Sequence, residues 1–403
     1  MGDELAEFRD AALRFLEDNA LRRVADTQSG WGVGSDAIGL LDSHTDRAEE
    51  AAALERSREW RRRVFQHGFG WVGGPLALGG GGRSPQLDEE YRRLEAEFDV
   101  PDQQPFATGT HLVAPALMAH GSPELQAKYL PGIFTGELVV CQLLSEPEAG
   151  SDLAGLKTKA VRDGDDWIVT GQKVWSSQAH LSQVGQLLVR TDVDVPKHQG
   201  ITMFVLDMDA PGVTVVPLRQ MTGETHFNEV FLDEVRIPDA NRVGEPGSGW
   251  RAVMATLMSE RAAVGSGANN SAVDPVARLI EMARHLDRAH DPIVRQRLAE
   301  RHTNAELRRF LIGRHEATML AGKAPGAEGS ILKLLFGEQA TQCAELAAEL
   351  LGLSVLADSG EWGTYAWGRW ITGAPMMRIA GGTDEIQRNT LAERLLGLPR
   401  EPS

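Results

Sequence analysis

Three short segments carry residue types that could do chemistry. The first, Gln142-Leu-Leu-Ser-Glu-Pro-Glu-Ala-Gly-Ser-Asp-Leu-Ala-Gly155, is an apolar strand that runs into a Gly/Ser/Asp turn. Such a turn can offer backbone N–H groups and hydroxyls to an anion or to the polar edge of a ring. A plain surface turn has the same composition. The second, Gly171-Gln-Lys-Val-Trp-Ser-Ser177, sets Trp175 beside two hydroxyls. A flat indole next to hydrogen-bond donors suits a planar heterocycle, and an indole that simply fills a core is the alternative. The third, Gly381-Gly-Thr-Asp-Glu-Ile-Gln-Arg-Asn389, puts paired glycines before a hydroxyl and a helix start. That arrangement permits close backbone approach to a ligand, and an ordinary helix entry would read alike.

The elements that must position these segments follow from periodicity. From about Asp3 to Thr135 apolar residues recur at three- and four-residue spacing, as in Leu5, Phe8, Ala12, Phe15 and Leu16, which is the helical period. Turn-rich breaks at Gly30 to Gly39 and Gly73 to Gly82 divide these helices. Between about Glu137 and Pro246 the texture becomes short β-rich runs, such as Trp167 to Thr170, Gln186 to Val189 and Ile201 to Val205, alternating with Gly, Pro and Asp turns. Helical spacing returns over Trp250 to Leu286, Asp291 to Leu320, Ala327 to Leu356 and Asp384 to Leu396. The expected fold class is therefore α+β. Residues 1–137 form an N-terminal helical domain, 138–248 a central β domain built as a small barrel or sandwich, and 249–403 a C-terminal helical bundle. With 403 residues, 42% of them hydrophobic, the chain can bury a large core in two or three subdomains.

Composition excludes several classes. A net charge of −16 and a pI near 5.2 argue against nucleic-acid binding and against a basic membrane-docking surface. Any anionic ligand must then meet a local cationic patch. Cys141 and Cys343 stand far apart without metal-ligand spacing and are expected as buried apolar residues of a reducing compartment. The acidic start Met-Gly-Asp-Glu-Leu-Ala shows no targeting segment, and no charge-free apolar run reaches the roughly 18 residues of a membrane span, so a cytoplasmic protein is expected. No Gly-x-x-x-x-Gly-Lys-Ser/Thr, His-Glu-x-x-His or Gly-x-Ser-x-Gly is present. His285 and His290 are poorly spaced as ligands and are expected to be exposed, and no metal site is expected. The run Gly79 to Gly82 neither follows a strand nor opens a helix, and reads as a flexible turn.

Taken together and in order, the three segments resemble the acyl-CoA dehydrogenase family. The resemblance spans about Gly68 to Arg400, with further matches at Phe227-Asn-Glu-Val-Phe-Leu-Asp-Glu-Val235 and Leu395-Leu-Gly-Leu-Pro399. It implies FAD as cofactor and oxidation of an acyl-CoA thioester to its 2,3-enoyl form, in lipid or steroid side-chain β-oxidation. Electrons would pass to an electron-transfer flavoprotein. By the same resemblance Gln142, Leu144 and Ser145 line the flavin pyrimidine edge, and Ser151 reaches the FAD pyrophosphate or the pantetheine arm of the substrate. Trp175 and Ser177 cover the flavin near N5, while Thr383 and Glu385 contact its ribityl and phosphate portion. Hydroxyls and backbone donors at these places would stabilise the negative charge that reduced flavin gains.

This oxidation needs a carboxylate to take the α-proton. The family's commoner location for it immediately precedes the Gly-Thr of the third segment, and here that position is Gly381. A second family location, on the first long helix of the C-terminal bundle, matches Glu260 in Met258-Ser-Glu-Arg-Ala262. Helical spacing sets Glu260 on one face with Val253, Leu257 and Val264, where desolvation would raise its pKa. A surface Glu, or one paired with Arg261, is the plainer reading. The resemblance assigns Glu260 as base, Arg261 as the group that orients it, and Leu257 and Arg261 as substrate contacts. It also leaves Gly381 a role through its main chain, whose N–H would bind the thioester oxygen.

Two departures stand out. The Arg-x-x-Phe-Gly segment that homotetrameric members lend to a neighbour's FAD adenine is missing from residues 277–292, and the later Gly-Gly adenine contact is Gly352-Leu353. This pattern is similar to actinobacterial acyl-CoA dehydrogenases of steroid and bulky-acid breakdown, several of which are α2β2 heterotetramers. A homo- or heterotetramer is expected. The rival reading is a non-catalytic subunit that completes another chain's FAD site, and an oxidase or flavin monooxygenase is a third.

Overall fold

A computed structural model describes residues 2–23, 47–266, 275–320, 326–357 and 364–400. The break expected at Gly30 to Gly39 lies outside them. In α1 (Gly2–Asn19) the residues Phe8, Ala12, Phe15 and Leu16 are buried along one stripe, as the spacing requires. The two-residue strand β1 (Leu21–Arg22) follows, and α2 (Arg47–Gln66) buries Leu54, Ser57, Trp60 and Val64 at the same period. The third helix, α3 (Gln86–Glu95), adds Leu87, Tyr91 and Leu94 to the shared core, and β2 (Phe98–Asp99) pairs antiparallel with β1. Beyond it come α4 (Gln104–Ala107), a π-helical turn over Thr108–Val113, α5 (Ala114–His120) and α6 (Pro123–Thr135). Ser122 caps α6 by accepting from Leu125 N at 3.2 Å, and Gly136, at φ 82°, ends it.

The Gly79 to Gly82 run differs from expectation. Rather than a loose turn it is a packed loop, with Gly81 N donating to Trp71 O and Arg83 N to Val72 O. A Cβ on Gly80 would lie 2.2 Å from the carbonyl carbon of Gly74, so the missing side chain is what lets two backbones touch.

The β region is one eight-stranded sheet. Its strands are β3 (Val140–Leu143), β4 (Lys159–Asp163), β5 (Asp166–Ser177), β6 (Val184–Arg190), β7 (Ile201–Asp207), β8 (Val213–Leu218), β9 (Phe227–Pro238) and β10 (Arg242–Val243). The order is β10-β7-β6-β4-β5-β9-β8, and β3 pairs parallel with β6. Alternate residues of distant strands, such as Leu187 and Val189 of β6 and Val230 and Leu232 of β9, join a single core, so the sheet curls around it. Cys141 is in that core, as expected of a buried thiol, and its pKa is pushed up to about 12 by burial.

The C-terminal helices are α7 (Gly249–Ser266), α8 (Pro275–His285), α9 (Pro292–Leu320), α10 (Gly329–Leu351), α11 (Thr364–Gly373) and α12 (Asp384–Thr390). Of the stretch Trp250 to Leu286 expected to be helical, α7 and α8 are helical, residues 267–274 between them lie outside the described residues, and Pro275 stands at the first position of α8, where its missing N–H costs nothing. The helix expected to Leu396 passes into a π-helical turn at Leu391–Leu395. Val276, Leu279, Phe336, Cys343, Ala347 and Trp367 belong to the bundle's core. His285 and His290 are both exposed. The chain divides into two compact units, and among the described residues the second takes Met221–Glu224 and everything from Leu257, within α7, onward. Among the described residues no helix is long and apolar enough to cross a membrane.

Candidate active site

In the first unit the first two segments come together. Val174 N, on β5, donates to Ser145 O at 3.0 Å, just past the end of β3. Lys173, with no exposed surface, donates its ammonium to Leu144 O at 3.0 Å and to Glu146 Oε1 at 2.8 Å. The buried Glu146 carboxylate also accepts from Lys157 N at 2.6 Å and Thr158 N at 2.9 Å. Burial pushes Lys173 down to about 8 against the pull of Glu146. Burial alone would raise Glu146, but Lys173 and the two backbone donors hold it below the usual carboxylate range. The pair is thus ionised near neutral pH, and each partner bonds to the other and to neighbouring backbone, which is the condition under which a buried ion pair is tolerated. Sequence reasoning missed it. The available signal was a lone charged residue, between Gln172 and Val174, in the otherwise uncharged stretch from Trp167 to Ser177.

The turn that follows is closed by Glu146 and Ala149, whose backbones bond both ways at 3.1 and 3.0 Å. Beyond it Gly150, Ser151 and Asp152 are exposed, and a Cβ at Gly150 would meet nothing within 4 Å. Ser145 and Gln142 are half-buried, and Leu144 is buried. Gln142 Nε2 donates to Gln186 Oε1 at 3.4 Å, and Gln186 donates in turn to Thr256 Oγ1 at 2.9 Å.

Trp175 is not core. A bulge between Lys173 and Ser176 in the pairing of β5 with β9 puts it at φ 60°, and its side chain is 58% exposed with Phe227 edge-on at 5.7 Å. A left-handed backbone at a bulky residue is costly and persists only where surroundings impose it. Here Asn228, fully buried on β9, donates Nδ2 to Ser176 O at 3.0 Å and lies 3.1 Å from His180 Nδ1. With its amide oriented by that carbonyl, Asn228 can only donate to His180. His180 therefore accepts at Nδ1 and gives its Nε2 proton to Glu50, 3.1 Å away on α2. Burial, which lowers the His180 pKa, favours the same neutral form. Ser177 is half-buried beside the bulge, and the buried Ser176 Oγ has no hydrogen-bond partner.

In the second unit the third segment is a glycine turn. Gly381 has φ 68° and Gly382 φ 91°, a conformation other residues adopt at a cost. Thr383 then caps α12, its Oγ1 accepting from Ile386 N at 3.3 Å. Gln387, fully buried, donates Nε2 to Gly381 O at 2.7 Å and to Gly382 O at 3.2 Å. Behind the turn Asp384 is held by Lys333 at 3.4 Å and Arg378 at 2.6 Å. Glu385 is exposed, and its own backbone N–H and Thr383 keep its carboxyl below the usual range. Glu260 is half-buried on α7, as is Leu257, whereas the side chains of Arg261 and Val264 lie outside the described residues.

Two family models match the chain. The acyl-CoA dehydrogenase middle domain matches residues 141–235 and its C-terminal domain residues 247–396. The chain is also 36% identical over 400 residues to acyl-CoA dehydrogenase IpdE1 of Mycobacterium tuberculosis, with 99% of each covered. The chain belongs to the acyl-CoA dehydrogenase family. Acyl-CoA dehydrogenase FadE34 of Mycobacterium tuberculosis is 40% identical over 287 residues, covering 71% of this chain and 39% of that one. Among solved structures, the Tcur3481-Tcur3483 steroid ACAD superposes with TM-score 0.73 at 27% identity, over 99% of this chain and 98% of that one. The ChsE4-ChsE5 complex from Mycobacterium tuberculosis gives 0.70 at 29%, again over 99% and 98%.

This acyl-CoA dehydrogenase is accordingly an FAD-dependent oxidoreductase. Its residues fit that cofactor. The first unit offers a tryptophan left in water beside an unpartnered buried hydroxyl at Ser176, which suits a flat ring with polar edges. The second offers a turn without side chains, where backbone can approach a ligand closely.

Proposed function

We propose that this acyl-CoA dehydrogenase oxidises the 2,3-bond of a bulky, steroid-derived acyl-CoA thioester, with Glu260 taking the α-proton. The observation that carries the reading is the left-handed backbone of Gly381, at φ 68°. The family's commoner base position here holds a residue with no carboxylate, in a conformation that disfavours gaining one. Glu260, half-buried on α7, is the carboxylate that takes over the role.

Gln142, Leu144, Ser145, Trp175 and Ser177 would hold the ring system of FAD, and Thr383 and Glu385 its ribityl and phosphate portion. When bound, FAD supplies the acceptor for the β-hydrogen, which leaves as hydride. The Gly381 N–H binds the thioester oxygen and stabilises the charge that gathers there as Glu260 removes the proton. Ser151, exposed on its turn, serves the pantetheine arm or the pyrophosphate. Arg261 orients Glu260, and Leu257 contacts the acyl group. The absence of a side chain at Gly381 leaves room for a branched or ringed acyl chain.

The steroid assignment is supported by likeness to the Tcur3481-Tcur3483 steroid ACAD. A second chain completing the assembly is supported by the altered adenine motif at Gly352-Leu353 and by two-protein neighbours such as ChsE4-ChsE5. An electron-transfer flavoprotein is the proposed acceptor. The test is a panel of CoA esters with a dye acceptor, with Glu260→Gln as control. Turnover should fall about 10²- to 10⁴-fold with flavin content kept. A wild-type protein that stays yellow with every ester would overturn the reading, and equal turnover of straight-chain esters would overturn the bulky substrate.

A further inference from the structure

Gln387 lies on α12, one turn beyond Thr383, and has no exposed surface. Its amide nitrogen reaches back to two successive carbonyls, Gly381 O at 2.7 Å and Gly382 O at 3.2 Å. These belong to the two residues of the turn with positive φ. In a trans peptide the C=O and N–H of one unit point in opposite directions, and no cis bond is present among the described residues. Holding both carbonyls toward the buried side therefore turns the N–H groups of Gly382 and Thr383 the other way. The plane before them, which carries the Gly381 N–H, is joined to this held pair through the φ and ψ of Gly381. None of these three N–H groups donates to another group of the described protein.

We propose that Gln387 is a positioning residue for the reaction: it fixes the direction of the Gly381–Thr383 amides so that they stay aimed at the substrate's thioester oxygen. The inference rests on the function proposed above. Two glycines in sequence have wide conformational freedom, and donors that must meet a developing charge gain most from being held before it appears. Gln387 removes that freedom. A neutral amide does so without placing a fixed charge behind the donors. The fit is close, since a Cβ on Gly382 would lie 2.8 Å from Gln387 Nε2.

The test uses the flavin-loaded protein and a chromophoric aryl-enoyl-CoA, whose absorption moves to the red when its carbonyl is polarised. Wild type should show the red shift. Gln387→Met, of similar volume but without a donor, should bind flavin as before, lose most of the red shift and turn over about tenfold to a hundredfold more slowly, with KM changed less than kcat. A full red shift with kcat within twofold of wild type would overturn the proposal. Gln387→Glu gives a second readout if the Met variant does not fold. Only its protonated form can donate to a glycine carbonyl, so activity should fall as pH rises through the new carboxyl's pKa. A pH profile matching wild type would overturn the proposal as well. Wild type that neither bleaches with acyl-CoA esters nor shifts the chromophore would sink the proposed function, and this inference with it. Wild type that does both beside an unaltered Gln387→Met sinks the inference alone.

Discussion

The first unit holds its exposed loops with charge, whereas the glycine turn of the second is held by a neutral amide. Around Ser145 and Trp175 the anchor is Lys173 against Glu146, with Leu144 O, Lys157 N and Thr158 N meeting the remaining bonds. Around Gly381 the anchor is Gln387, and the ion pairs lie at Asp384, the first residue of α12, which Lys333 of α10 and Arg378 ahead of the turn hold. The difference follows from what each loop has to do. A strand end and a bulge must be clamped against a left-handed tryptophan, and two ions with four hydrogen bonds among them do that strongly. A turn expected to feel charge arise on a ligand is better held by a group whose own charge is zero.

Removing one ion from the first clamp should have the largest effect on stability. Lys173→Met leaves Glu146 buried without its counter-ion, and a loss of about 3–5 kcal/mol is expected by urea denaturation. A loss below about 1 kcal/mol would erase the contrast. Gly382→Ala attacks the second anchor, because Ala at φ 91° is strained and its methyl would displace Gln387. A cost of about 1–3 kcal/mol is expected from the backbone. Turnover should fall as in Gln387→Met, read in the same dye assay.

Acid should weaken the first unit's support. Burial pushes His111 down to about 4, and burial with the neighbouring His180 does the same for His226. Both pKa values are lowered below the unfolded value of about 6.5, so between pH 6.5 and 4 the unfolded chain binds more protons. The stability they contribute is complete above pH 6.5 and is lost as pH falls toward 4, at most about 1.4 kcal/mol per pH unit for each. Melting temperature followed over this range should slope less in His226→Phe. The smallest effect on folding is expected of Trp175→Gly. It relieves the positive φ but loses the contact with Phe227, so stability should stay within about 1 kcal/mol. Flavin affinity should nevertheless drop roughly tenfold or more, the usual range for losing a stacked aromatic.

Much of this was legible in the sequence. The α, β, α order shows in the change of apolar period, because each element buries one face and spacing reports which. The three segments stand out because Gly, Ser, Thr and Trp cluster in them, the residue types that a site for a flat, polar-edged ligand would need. What stayed hidden depends on contacts between distant positions. Lys173 and Glu146 are 27 residues apart, and nothing local says that one neutralises the other. The bulge at Trp175 arises from mismatched pairing of β5 and β9, which neither strand shows alone. Gln387 looks like any polar residue of a short helix until the helix start is seen to fold back over it.

Trp175 carries one more consequence. Of the tryptophans among the described residues it is the one whose ring lies largely in water, the rest being buried or partly so. Its emission should therefore sit to the red of that of the other described tryptophans and be quenched when a flat, absorbing ligand covers it. The protein thus contains its own optical label for the occupancy of that face, placed there by a twist of backbone.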